Sequence, residues 1–410
     1  MRLLVLLLGL SLVACSAPGG DDGGSGGGAG GAGGGTGGSG GAGGGDTGRR
    51  LGLNDVTVLV PLPPDAGTPT LLRATDLAAD GTPLVPEGLY QQVIRRPNGQ
   101  PDVFSALADF HVVAVRFDLC DRQLPWPCDA LDDGRLRLVF QPIFGDGSAR
   151  DIALHGFYEI PRAEVTDAVA QLRAMAELQG LAQRSRLTVN AQLQADPNGP
   201  YGAALKSFVK RWANSGGLRR LTFFAQPEVF AQIRWVFRGL EGTPGNYALI
   251  EIAAADGGTE QDVVLGGTLS SPGYTATPLS DDPLGLARAV DAQAFLAASQ
   301  TDKDAALHAL TSVNNPLEHS PNTVQCIACH VATLLSDRRA IEAGTTADQL
   351  PGRYGSGYDL SITAGRSVAP NGERFLRALG WLDKEPLISQ RVVNESAQTA
   401  TEIQQRFPVP

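Results

Sequence analysis

Methionine, cysteine and histidine are scarce in this chain of 410 residues, which holds two, five and five of them. No second C-x-x-C accompanies the one at Cys326 and Cys329, so a four-ligand zinc site would lack half of its donors. No apolar run after residue 15 is long enough to cross a bilayer. Lys and Arg, 33 against 43 Asp and Glu, are scattered without a basic stripe. The net charge is −10 and the pI about 5.0, which argues against nucleic acid as a partner. The folded region carries no nucleotide-binding glycine pattern and no internal repeat. Asp118, Asp121, Asp129, Asp132 and Asp133 crowd one region without the D-x-D-x-D-G spacing of a calcium loop, so a solvated acidic edge is expected there. No general acid/base constellation stands out to support catalysis.

What the chain does have is Cys326-Ile327-Ala328-Cys329-His330. C-x-x-C-H is the attachment pattern of a c-type haem. Two thiols three positions apart can form thioethers with the two porphyrin vinyl groups, and the adjacent imidazole then falls under the iron. With so few Cys and His, random placement would yield this pentapeptide in roughly one such chain in a thousand. C-x-x-C also serves in dithiol redox pairs, zinc sites and short disulfides. A thioredoxin-like site wants a strand-to-helix junction, whereas the segment from Asn314 to Asn322 is loop-like. One covalent haem c is the cofactor expected, with Cys326 and Cys329 as tethers and His330 as proximal ligand.

The N-terminus has Met1-Arg2, the apolar run Leu3 to Val13, then Ala14-Cys15. A positive residue, a short apolar core and a small residue before the cut describe a secretory signal. Leu12-Val13-Ala14-Cys15 resembles the lipobox of bacterial lipoproteins. That resemblance implies residues 1–14 as a signal peptide, lipid on Cys15 and, with Ser16 following, an outer-membrane lipoprotein anchored rather than spanning. Ordinary signal cleavage nearby, leaving a stray thiol, is the other reading. An exported chain meets an oxidising compartment. Cys120 and Cys128 then remain as an even pair around a short proline-rich loop, and a disulfide is expected between them. Two buried free thiols would be the alternative.

Pro18 to Gly48 is a low-complexity tether, mostly Gly, that cannot bury a core. As a random coil it would span about 30 Å. Lipidated Cys15 and this tether make up residues 15–50. Val56–Val60, His111–Phe117, Leu136–Phe140 and Ile152–Tyr158 have strand patterns. So do Leu221–Ala225, Ile233–Phe237, Tyr247–Ala253 and Val263–Leu269. Arg162–Leu178 and Ala203–Trp212 are amphipathic at helical spacing. Strands and helices without strict alternation predict an α+β fold with a large mixed or antiparallel sheet over residues 51–300. A Pro/Ser/Asp-rich patch at Ser270–Pro283 suggests a boundary. Helices are expected at Leu284–Ala298, Ala305–Leu310, Val324–Leu335 (capped from Ser320-Pro321-Asn322-Thr323), Glu373–Leu382 and Glu395–Arg406. Residues 301–410 then form a small, mainly α haem module, which resembles c-type cytochromes.

The resemblance rests on the pentapeptide alone, and one departure is plain: no methionine follows Met175. The Met sixth ligand of small soluble cytochromes is therefore absent from this stretch. His319, in a proline-flanked loop before the motif, is the leading candidate for sixth ligand, followed by His308. His111 and His155 on strands of the other domain, and Met175 on a helix, rank lower, and an open position is a further possibility. Tyr354, Tyr358, Phe375 and Trp381 are candidates for packing on the porphyrin, and Arg353, Arg366 and Arg374 for its propionates. Two nitrogen ligands would make an electron carrier, needing a redox partner protein. An open iron would make a haem enzyme or gas sensor. In a third reading the chain is a non-redox binding or structural lipoprotein, in which residues 51–300 do the work.

Overall fold

A computed structural model describes residues 50–95, 105–120, 133–180, 184–226, 233–253, 255, 257–268, 271–278, 286–320, 322–362 and 378–408. The expected signal peptide, Cys15 and the low-complexity stretch Pro18 to Gly48 lie outside them.

The strands in chain order are β1 (Thr57–Leu59), β2 (Phe110–Leu119), β3 (Gly134–Pro142), β4 (Ile152–Ile160), β5 (Leu218–Ala225), β6 (Arg234–Thr243), β7 (Asn246–Leu249), β8 (Glu260–Thr268), β9 (Ser271–Thr277), β10 (Leu379–Leu382) and β11 (Glu385–Ile388). The helices are α1 (Leu53–Val56), α2 (Glu87–Ile94), α3 (Arg162–Glu177), α4 (Ala191–Ala195), α5 (Pro200–Trp212), α6 (Leu286–Val290), α7 (Ala292–Ala297), α8 (Gln300–Val313), α9 (Cys326–Glu342) and α10 (Gln390–Arg406).

β1 to β9 form one nine-stranded sheet, in the order β1-β2-β3-β4-β5-β6-β8-β9 with β7 paired to β6. The pairings within it are antiparallel. Period-two alternation divides its side chains between two cores. Leu136, Leu138 and Phe140 of β3, Leu154 of β4, and Leu221 and Phe223 of β5 face one way, into a core filled by α2, α3 and α5. The intervening residues face the other way. There, Phe224, Trp235, Phe237 and Val263 meet Leu310 and Val313 of α8 and Ile327, Val331 and Leu335 of α9. In β2 a register shift between Val112 and Ala114 marks a bulge, and it sends both Val113 and Ala114 into this second core.

The α+β class with a large antiparallel sheet is what the structure shows. A terminal haem module standing apart from the sheet is not shown. α8, α9 and the start of α10 have their apolar faces in the same core as the sheet, and α10 continues into the opposite core through Ala400 and Ile403. The physical reason is that these helices have an apolar stripe to bury and the sheet's second face supplies the cover.

Three local expectations are corrected. The patch at Ser270–Pro283 contains strand β9, at the end of the strand order, where Pro272 interrupts no inner ladder. The helix expected over Leu284–Ala298 is divided at Asp291, whose carboxylate accepts from the backbone N–H groups of Gln293 and Ala294 and so starts α7. Leu379–Leu382, expected to end a helix, is instead the first strand of a hairpin with Glu385–Ile388. Trp381 decides this locally: its backbone N–H donates to Gln141 Oε1 at 2.7 Å and its indole N–H to the Val60 carbonyl at 2.9 Å.

The acidic cluster is not a solvated edge where it is described. Asp118 is buried in an ion pair with Arg116, and Asp133 is buried, accepting from the Arg162 backbone N–H at 2.8 Å. Asp121, Asp129 and Asp132 lie outside the described residues, as does Cys128. Cys120 is disulfide-bonded. No helix among the described residues is long and apolar enough to cross a membrane.

Candidate functional site: a cleft on the second face of the sheet

The start of α9 is pinned to the sheet by one side chain. Gln261 of β8, fully buried, donates from Nε2 to Gln325 Oε1 at 2.8 Å and accepts the Ile327 backbone N–H on Oε1 at 3.0 Å. Gln325 is the residue before the first turn of α9 and makes no side-chain cap. The expected cap at Ser320–Thr323 is a turn of its own, closed by Ser320 N–H to Thr323 Oγ1 at 2.9 Å, and the helix begins at Cys326. Gln261 pairs across the ladder with Phe237 of β6, which pairs with Phe224 of β5. Holding α9 at Gln261 therefore sets the motif down on this aromatic row. The His330 ring lies 4.7 Å from Phe237, edge-on, and 5.3 Å from Phe224. The two phenyl rings stack on each other at 5.3 Å.

Cys326, Cys329 and His330 all line one cleft between α9 and the sheet, with about 1090 Å³ of empty space including its open mouth. Both thiols are free. Burial pushes Cys326 up to about 12, with the neighbouring Cys329 adding to it, and pushes Cys329 up to about 11. Both sulfurs are thus neutral thiols at ordinary pH.

The cleft's floor is built from cross-strand rows. Val139, His155, Thr222 and Gly239 form one, and Arg116, Arg137, Phe157, Arg220 and Glu241 the next; of these, His155, Thr222, Gly239, Arg137, Phe157 and Arg220 line the cleft. The arginine row continues into a buried charge cluster. Glu395 of α10 is paired with Arg116 and with Arg391, the latter at 2.6 Å, and lies 3.9 Å from Arg137. Burial would raise the Glu395 carboxyl, but the guanidiniums of Arg116, Arg391 and Arg137 outweigh it and hold the group well below the usual carboxylate range. Four arginines line the cleft and each is paired with a carboxylate: Arg137 with Asp118, Arg220 with Glu241, Arg238 with Glu260 and Arg391 with Glu395.

Two buried donors on the cleft wall, Gln325 Nε2 and Arg220 Nε, have no hydrogen-bond partner among the described residues. Such groups are costly unless something accepts from them. A porphyrin brings two carboxylates, two vinyl groups and a flat apolar body. The cleft offers unsatisfied donors, two neutral thiols, an imidazole and an aromatic floor. The donor set fits that group. It does not fit a bare metal ion, since no three His, Cys, Asp or Glu side chains among the described residues are grouped to hold one.

The other sequence candidates are elsewhere. His319 does not line the cleft. Its Nδ1 is 3.3 Å from Thr323 Oγ1, and its carbonyl accepts from Arg391 at 2.5 Å. His308 is exposed and packs beside Gly352. His111 is buried near Arg73, and Met175 belongs to the core on the opposite face. Arg353 pairs with Asp348 at 2.9 Å, and Tyr354 with Gln398 at 2.8 Å. Tyr358 donates to the Leu51 carbonyl. Arg366, Arg374 and Phe375 lie outside the described residues.

Sequence reasoning passed over the arginine row, Glu395, Gln261, Gln325 and the Phe224–Phe237 pair. It ranked His155 low, yet His155 lines the cleft with His330. A signal existed for part of this: Arg135-Leu136-Arg137-Leu138 alternates strictly, and the same alternation leads to His155 and to Arg220 and Thr222. No family model, curated protein or solved structure matches the chain.

Proposed function

We propose that this chain is an exported, lipid-anchored protein carrying one covalent c-type haem in the cleft beneath α9, and that it transfers electrons to and from a redox partner protein. The observation that supports it most is that Cys326, Cys329 and His330 line a single cleft whose other walls carry arginines and unsatisfied donors. Residues 301–410 would act as the haem-bearing part, with the sheet as the other wall of the pocket. Cys15 would carry the lipid, and residues 18–48 would tether the folded part to an outer membrane.

When bound, the haem supplies a one-electron couple at iron. The chain's own residues do the rest. Cys326 and Cys329 tether, and His330 ligates from the first turns of α9. Phe224 and Phe237 hold the imidazole plane. Arg220 and Gln325 would donate to the haem carboxylates, and Phe224, Phe237 and Ile252 would pack against its apolar body.

The test is expression of the full chain with a haem-attachment system. The expected result is a haem band that survives a denaturing gel and a mass increase of one haem on the peptide containing Cys326 and Cys329. Unmodified protein with those two cysteines joined as a disulfide would overturn the proposal.

A further inference from the structure

We infer that His155 of β4 is the second axial ligand of the haem iron, an inference that rests on the haem reading above. His155 is the one histidine besides His330 among the described residues that line the cleft. The register explains why it stands there. Its row neighbours are Val139, Thr222 and Gly239, all shorter, so its ring is the tallest group of that row. Along β4, His155 lies two residues from Ala153, which pairs with Phe224, one of the two rings against His330. The two imidazoles are thus presented to the same space, one from the helix and one a single pleat away on the sheet.

The remaining cleft residues are poor rivals. Cys326 and Cys329 are used as tethers. Guanidinium has no lone pair to offer. Glu395 is held in ion pairs by Arg116 and Arg391. Glu251 is exposed at the rim. A neutral imidazole, by contrast, is a common iron ligand. Two nitrogen ligands would close the iron to small molecules and give a lower potential than a His/Met pair.

The experiment uses the full chain matured with covalent haem, and compares it with His155→Ala, His155→Met and His319→Ala. In the parent and in His319→Ala, the expected absorption and EPR spectra are low-spin and unchanged by CO. In His155→Ala the covalent haem band remains while the spectrum turns high-spin, CO binds, and added imidazole restores the low-spin form. In His155→Met the iron stays low-spin and the midpoint potential rises. If His155→Ala does not mature, the rise in potential of His155→Met carries the test. A high-spin parent, a His155→Ala variant that stays low-spin and blind to CO, or an unchanged potential in His155→Met would overturn the assignment. Absence of covalent haem from the parent would instead overturn the function proposed above.

Discussion

Arg116 of β2 and Glu395 of α10 form a buried ion pair between residues 279 apart in sequence. Glu395 also takes Arg391 Nε at 2.6 Å, so one carboxylate serves two guanidiniums and lies near a third. Removing it leaves buried cations without their counter-charge. Glu395→Ala should therefore destabilise the fold by about 3–5 kcal/mol. Urea unfolding followed by tryptophan fluorescence would measure it. A loss below about 1 kcal/mol would show that water reaches these arginines.

The two thiols should be separable. With the proposed haem in place, Cys326→Ala and Cys329→Ala would each leave one thioether, so each single variant should keep covalent haem, with a pyridine haemochrome spectrum shifted toward that of an unreacted vinyl group. The double variant should lose its haem on a denaturing gel. Retention of haem in the double variant would point to a different tether.

His111 gives the fold an acid-sensitive point. Burial lowers this imidazole to about 4, with Arg73 adding to the effect. The unfolded chain holds its proton at an ordinary value near 6.5. Between those values the unfolded state binds more protons than the native one, so stability is full above about pH 6.5 and falls as pH drops toward 4. The loss should be of order 1–3 kcal/mol. Comparing urea midpoints at pH 7 and pH 5 for the parent and His111→Leu checks it: the variant should lose less on acidification. Equal losses would place the acid sensitivity elsewhere.

Phe237 should matter to both fold and site. It is 3% exposed, stacks on Phe224 and touches His330. Phe237→Ala should cost about 3–5 kcal/mol, as other buried Phe truncations do. Phe237→Leu should keep most of that stability while loosening the imidazole. The readout is a broadened low-spin EPR signal in the haem-loaded protein. A sharp, unshifted signal in Phe237→Leu would show that the helix alone orients His330.

Much of the sheet was legible because β2 is a β-branched apolar run and β3 alternates plainly, and α3 and α5 carry clean helical stripes. The motif was legible because it is contiguous. The cleft was not. Arg137, His155 and Arg220 occupy the alternate positions that a half-buried strand gives to solvent, and only the arrival of α9 and α10 turns that polar face into an interior. Which helix covers which face is a long-range fact. It depends on pairs such as Gln261 with Ile327 and Arg116 with Glu395, which no local window contains. The Leu379–Leu382 strand failed for the same reason, since its partners Gln141 and Val60 lie more than 200 residues away.

The wide sequence separation of Arg116 and Glu395 also orders events in time. A chain made from its N-terminus can pair β1 through β9 long before α10 exists, and contacts between distant segments form late. Until Glu395 arrives, the arginines beneath it stay wet and the wall of α10 is missing. If the proposed haem is attached here, the thiols of α9 would be most open to the attaching machinery after Cys329 has emerged and before the last seventeen-residue helix docks. Whatever slows that final docking would lengthen the time available for attachment, and whatever hastens it would close the door on an unfinished site.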